Sequence, residues 1–272
     1  MKISIITVSY NSERTIEQTI QSVINQDYCQ LEYIIIDGKS TDNTGNIIEK
    51  YIEYISCYVS ERDEGIYDAF NKGIEKATGE IIGFINSDDI LAPGTLNYIS
   101  KNFNSNTDVM FGNIIYFDDK IEKYKILRKA DPKLRKIQYE MTPSIFHPAT
   151  FIKKNAYKKF GSYNKQIKLA ADWELLLRFY TQGANFYYVN QTLAYFRGGG
   201  ASSGRLNCNF RIEDFNEYKQ ILFQYSNNKL KNYFYYYKKV LFGYSVYILR
   251  KFGIAKKIKK IINKNKYVEI KD

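Results

Sequence analysis

At 272 residues the chain has room for one large α/β unit with an appended segment. Hydrophobic residues make up 44% and charged residues 25%, enough apolar material to bury a core, which excludes an intrinsically disordered chain. The net charge of +11 is unevenly placed: residues 1–206 carry 25 Lys+Arg against 24 Asp+Glu, and residues 207–272 carry 15 against 5.

In chain order, Ile3 to Val8 reads as a buried strand, followed by Ile16, Ile20, Val23 and Ile24 at helical spacing behind the capping candidates Asn11 and Ser12. Tyr33 to Ile36 is a second strand running into Asp37-Gly38, and Ile47, Ile48, Tyr51 and Ile55 form a helical stripe after Thr41-Asp42. Cys57 to Ser60 reads as a third strand. A helix over Asp68 to Ala77 closes at Gly79, and Ile81 to Ile85 is a fourth strand. Strands alternating with helices predict an α/β fold with a mostly parallel central sheet, helices on its faces, and ligands bound beyond the carboxyl ends of the strands.

The polar residues at those ends are Thr7, Tyr10 and Asn11, then Asp37, then Glu61 to Asp63, then Asn86-Ser87-Asp88-Asp89. Any one of them suits a turn or a helix cap. Together they line one crevice. Adjacent Asp88 and Asp89 repel each other unless a cation or donor lies between them, and Mg2+ or Mn2+ takes one or two carboxylates plus substrate phosphates.

Further on, Asp108 to Gly112 is strand-like, and Ile145 to Thr150 contains His147, the single histidine. Leu169 to Arg178 reads as a helix with Asp172 at its start, placed for a cap or for chemistry, and with Trp173 and Leu176 on the apolar stripe. Phe196 to Gly204 is glycine-rich, a linker or a lid. Residues 207–272 interleave aromatic and basic residues, the pattern either of a helical cap with a solvated face or of a helix at an anionic membrane. Cys29, Cys57 and Cys208 have no metal-ligand or redox spacing, which fits a reducing compartment. No leader pattern precedes Ile3 and no apolar run reaches the ~18 residues of a membrane span, so a cytoplasmic location is expected.

The stretches Ser4 to Asn11, Ile36 to Asp42, Glu61 to Gly73 and Asn86 to Asp89 resemble the family 2 glycosyltransferases of GT-A fold, in particular those of bacterial surface polysaccharide clusters of the colanic-acid type. The resemblance covers residues 1–206, leaving 207–272 as a basic, Tyr-rich helical extension. It implies an inverting, metal-dependent transfer from a nucleotide-diphosphate sugar, by family habit a UDP-sugar, to a hydroxyl of a lipid-linked or oligosaccharide acceptor. Under it the donor would be held by Thr7, Tyr10, Asn11, Asp37, Gly38, Asp63, Lys72, Asn86, Ser87, Asp88 and Arg197. Asp88 and Asp89 would hold Mn2+ or Mg2+, with Asn86 standing where an acidic residue is frequent. Asp172 takes the position of the catalytic base, with Ala171 where many members carry Glu, and His147 and Trp173 fall on the acceptor side. The glycine-rich loop, led by Arg197, would close over the diphosphate. A peripheral place on the inner membrane face follows from the basic tail. Two rival classes are weaker: a nucleotidyltransferase opens with a Gly-rich, Arg-containing loop where Tyr10-Asn11-Ser12-Glu13 stands here, and a nucleic-acid binder would not need a carboxylate-lined crevice.

Overall fold

Strand β1 (Ile3–Ser9) is buried along its whole length, because parallel neighbours flank both edges and helices cover both faces. The computed structural model that shows this describes residues 1–119, 125–134, 137, 145–198, 212–226 and 228–251. β1 pairs in parallel with β2 (Leu31–Asp37) and β4 (Ile81–Phe84), and β2 pairs in parallel with β3 (Cys57–Ser60). Helices α1 (Ile16–Ile24), α2 (Thr44–Glu49) and α3 (Ile66–Lys76) make the crossovers. Pleating sends Ile6, Val8, Ile34 and Ile36 into one core and Ile3, Ile5, Tyr33 and Ile35 into another.

The second half departs from simple alternation. After β5 (Ile90–Leu91) and α4 (Thr95–Asn102) come the long β6 (Val109–Phe117), β7 (Lys125–Arg128), β8 (Thr150–Lys153), α5 (Lys154–Phe160), α6 (Ala171–Thr181) and β9 (Phe186–Arg197). The sheet runs β3-β2-β1-β4-β8-β6-β9-β5, with β7 added on β6. β1 to β4, β6 and β9 share one direction, while β5, β7 and β8 oppose it. The expected mostly parallel sheet is present, with β8 inserted antiparallel between β4 and β6.

Close approach requires glycine at Gly73 and Gly38, the two that position the site. A Cβ on Gly73 would lie 2.5 Å from Ile6 Cγ2, so glycine here lets α3 sit tightly on β1. A Cβ on Gly38 would lie 2.6 Å from an Asp63 carboxylate oxygen and 3.4 Å from the Tyr10 ring. Glycine thus brings the ends of β1, β2 and β3 together.

Helix α7 (Ile212–Tyr225) belongs to the main body. Tyr218, Ile221 and Leu222 are in the same core as Leu175 and Trp173, and the Glu217 carboxylate accepts the Lys168 and Leu169 amides at 2.6 and 3.0 Å. The first helix of the expected extension beyond residue 206 thus packs on the body. Helix α8 (Lys229–Lys251) follows and has one largely exposed side. Among the described residues no helix is long and apolar enough to cross a membrane.

Candidate active site

The register of the parallel strands sets Ser9, Asp37 and Ser60 side by side at their carboxyl ends. Asp37 is buried between them. Its Oδ1 accepts from the Ser9 hydroxyl at 2.9 Å and the Ser40 hydroxyl at 2.5 Å, and its Oδ2 from the Ser40 amide at 2.9 Å and the Ser60 hydroxyl at 2.8 Å. Asn11 lies in the left-handed region at φ 48°, which asparagine tolerates, and its Oδ1 accepts the Thr41 amide at 2.8 Å while its own amide donates to Ser40 Oγ at 2.9 Å. Asp37 and Asn11 therefore lock the loops after β1, β2 and β3 to one another. Tyr10 projects from this platform with 62% of its surface exposed, beside Gly38 and the half-buried Asp63. Thr7, expected to face the donor, is fully buried and shares a 3.1 Å hydrogen bond with the Tyr33 hydroxyl, so its side chain is not open to the crevice.

Beyond β4 the acidic turn is braced from behind. Ser87 Oγ shares a 2.7 Å hydrogen bond with Ser12 Oγ, and the Asp89 amide donates to the Asn86 carbonyl at 3.0 Å. Asp89 is completely buried. Its Oδ1 accepts the Arg197 amide at 3.0 Å, while its Oδ2 and the Asn86 Oδ1 are buried with no hydrogen-bond partner among the described residues. Burial, reinforced by the neighbouring Asp88 charge, pushes the Asp89 carboxyl well above its ordinary range, and burial also raises Asp88. Asp88 is the half-buried member of the pair. Orphaned oxygens beside a partly open carboxylate are what a hard cation satisfies, so the turn fits Mn2+ or Mg2+ with Asp88 as the accessible ligand and Asp89 behind it.

Arg197 differs from its expected part. Its guanidinium is buried, donates from Nε to the Asp88 carbonyl at 2.8 Å, pairs with Asp119 and Gln18, and lies 4.7 Å from the Phe117 ring centroid. It braces the acidic turn and does not reach outward to a diphosphate. The glycine-rich loop beyond Gly198, expected to form a lid, lies outside the described residues. Lys72 is likewise engaged, at 2.8 Å from Glu61, 3.3 Å from Asp68 and 3.0 Å from the Arg62 carbonyl, where it clasps the segment carrying Asp63 to α3.

A second group of side chains gathers at the start of α6. Asp172, in the first turn and half-buried, accepts the Trp173 amide through Oδ1 at 2.9 Å and faces the Tyr67 hydroxyl of α3 at 3.5 Å. Tyr67 stacks on Tyr163 with ring centroids 5.8 Å apart, and the Tyr163 hydroxyl shares a 2.7 Å hydrogen bond with His147 Nε2. His147 packs on Phe70 and Phe84, and this burial lowers its pKa against the opposing pull of Asp172. Asn71 pins the segment, exchanging hydrogen bonds with the Tyr163 backbone at 2.9 and 3.0 Å. Trp173, placed by expectation on the acceptor side, is core: it is buried, stacks on Tyr218 and donates to the Ile137 carbonyl at 2.6 Å.

Helix α3 thus joins the two constellations. Along the stretch Tyr67-Asp68-Ala69-Phe70-Asn71-Lys72-Gly73, Tyr67, Phe70 and Asn71 reach the Asp172 side, Asp68 and Lys72 hold the Asp63 loop, and Gly73 seats the helix on β1. Tyr67 lay inside a motif visible in the sequence. Tyr163, by contrast, sits in a Gly-Ser-Tyr loop that carries no signal of its own.

The fold is that of the GT-A nucleotide-sugar transferases. The chain belongs to glycosyl transferase family 2, whose family model matches residues 4–161. It is 36% identical over 113 residues to the E. coli UDP-Glc:alpha-D-GlcNAc-diphosphoundecaprenol beta-1,3-glucosyltransferase WfgD, covering 41% of this chain and 45% of that one. The matched part spans 33% to 45% of the length of WfgD and three other curated relatives. Among solved structures, S. aureus TarS 1–349 in complex with UDP-GlcNAc superposes with a TM-score of 0.61 at 21% identity, covering 83% of this chain and 71% of that one. The Pyrobaculum calidifontis mannosyltransferase PcManGT in complex with GDP-Man and Mn2+ also gives 0.61, at 16% identity, covering 81% and 62%.

Proposed function

We propose that the chain is an inverting glycosyltransferase that moves a sugar from a UDP-sugar to a hydroxyl of a lipid-linked glycan in bacterial surface polysaccharide synthesis. The observation that carries this reading is the pairing of a half-buried carboxylate at the start of α6, Asp172, with a nucleotide-type crevice, both fixed to the same helix α3. WfgD, named for a diphosphoundecaprenol acceptor, supports the lipid-linked acceptor, and the TarS complex with UDP-GlcNAc supports the donor class. Such an acceptor lies at a membrane, so the enzyme would work on the cytoplasmic side, peripheral to that surface.

Tyr10, Gly38 and Asp63 offer a flat ring, a close backbone and a carboxylate to the nucleoside, and Asp63 can accept from a ribose hydroxyl or base imide. Asp88, backed by Asn86, would hold Mn2+ or Mg2+. When bound, the cation supplies positive charge to the departing diphosphate. Asp172 accepts the proton of the acceptor hydroxyl as that oxygen bonds to the anomeric carbon and the bond to the diphosphate oxygen breaks, the electron pair leaving with the nucleoside diphosphate. One displacement inverts the anomeric centre. Tyr67 and the Tyr163–His147 pair hold the acceptor side in place.

The test is a calorimetric titration with UDP, GDP, CDP and dTDP, with and without Mn2+, on the wild type and Asp88→Ala. Metal-dependent binding of UDP, lost in the variant, supports the reading; binding of another diphosphate in its place overturns the UDP donor, and no binding of any of them overturns the reading.

A further inference from the structure

We propose that α8 is an interfacial element that lies lengthwise on an anionic lipid surface, with one defined face turned to the lipid. This deepens the reading above, on whose membrane-side acceptor it rests, by naming the element and the lipid charge that would hold the enzyme there.

The helix has two unlike sides. Its inner side is tied to the body: Asn232 and Gly243 are buried, Tyr235 and Tyr236 pack against the main core, and Lys239 sits 5.4 Å from the Tyr218 ring centroid. On the outer side Leu230, Phe234, Tyr237, Leu241, Tyr244 and Ile248 are exposed, Leu230 by 85% and Leu241 by 67%. They recur at alternating intervals of four and three residues, which keeps them on one line along the helix. Exposed Lys229, Lys231 and Lys238 lie about 80–100° around the helix from that line, at about 100° per residue, where their stems flank the apolar stripe and their ammonium groups reach headgroup level.

Charge decides the occupant. α8 carries Lys229, Lys231, Lys238, Lys239, Arg250 and Lys251 and not one Asp or Glu, and the sequence beyond it adds Lys256, Lys257, Lys259 and Lys260. A second copy packed in parallel on the same stripe would set Lys229, Lys231 and Lys238 against their own counterparts, with no carboxylate on the helix to offset them. An anionic bilayer meets both features at once, the stripe entering the acyl boundary and the lysines meeting acidic headgroups.

The experiment is flotation of the full chain with vesicles of phosphatidylcholine alone and of phosphatidylcholine mixed with phosphatidylglycerol. Wild type should bind the anionic vesicles well above the neutral ones. Phe234→Ser with Leu241→Ser should weaken binding at least tenfold, since each lost side chain removes buried apolar area. Lys229→Gln, Lys231→Gln and Lys238→Gln should cost about fivefold per lysine and only on anionic vesicles. UDP binding, unchanged in these variants, shows that the body is folded and separates this test from that of the transferase reading. The proposal is overturned by any of four results: no vesicle binding, equal binding to neutral vesicles, binding indifferent to both sets of changes, or RNA binding lost with the lysines while vesicles are ignored. A dimer in sedimentation velocity that the Phe234/Leu241 variant dissolves, without lipid binding, overturns it in favour of a second copy.

Discussion

Strand β2 carries a buried carboxylate near each end, and the contrast between them separates architecture from function. Glu32, near the amino end, accepts from Ser4 Oγ at 2.5 Å and the Thr78 amide at 2.7 Å and pairs with Lys2 at 2.6 Å; these partners, prevailing over burial, hold it at a pKa of about 2. Asp37, at the carboxyl end, is as fully engaged by Ser9, Ser40 and Ser60. What distinguishes the carboxyl end is the surplus beyond Asp37: half-buried Asp63 and Asp88, and orphaned oxygens on Asn86 and Asp89. A saturated carboxylate holds strands together, and one with an open lone pair is available to a ligand.

Five substitutions probe that contrast. The largest effect is expected at Asp172: Asp172→Asn should lower kcat about 1,000-fold with donor affinity unchanged, measured by product formation and calorimetry in parallel. Near-normal turnover would remove it as the base. Glu32→Ala leaves Ser4 and Thr78 without their acceptor and Lys2 with Thr78 Oγ1 but no carboxylate, and should cost about 3 kcal/mol of stability in a urea titration, with UDP affinity unaltered. Glu32 has a depressed folded pKa, so its contribution is present above its unfolded value of 4.5 and is lost as pH falls from there toward about 2. Asp88→Ala should do the reverse, with little change in stability and on the order of 100-fold weaker metal-dependent nucleotide binding. If Asp89→Asn weakens binding as much while melting normally, the roles assigned to the two neighbours are wrong. Tyr67→Phe removes only the hydroxyl facing Asp172 and should lower kcat about fivefold with KM nearly constant; a change in KM alone would make Tyr67 an acceptor contact.

The first half of the fold was legible because each parallel strand is a short apolar run and each crossover has a helical stripe. β1 and β2 match their expected spans to within a residue or two. β9 was not legible: Asn190, Gln191 and Thr192 interrupt its alternation where its register with β6 shifts. In the site, residue types at strand ends pointed to the crevice, but the sequence could not divide carboxylates into saturated and open ones. That division depends on serines from two neighbouring strand ends and one loop meeting at Asp37. The partners of Arg197 and Trp173 were hidden for a related reason, since a cation and an indole look available until the fold supplies Asp119, Gln18 and Ile137.

The smallest expected effect falls on His147 and tests whether the acceptor side is held by packing. Its ring packs against both Phe70 and Phe84, with Tyr163 at hydrogen-bond distance and Asp172 nearby. Burial, the larger influence, lowers its pKa below 6.5, while Asp172 pulls the other way. A histidine held neutral by the fold binds fewer protons than its unfolded counterpart. Its contribution to stability is therefore complete above pH 6.5 and declines as pH falls through that value toward the folded pKa. Between pH 7.5 and 5.5 the wild type should lose more unfolding free energy than His147→Gln, by less than about 1 kcal/mol. Equal slopes would mean that the ring is solvated enough to take up its proton freely, and Tyr163 would then hold a charged imidazolium beside Asp172 instead of a neutral ring.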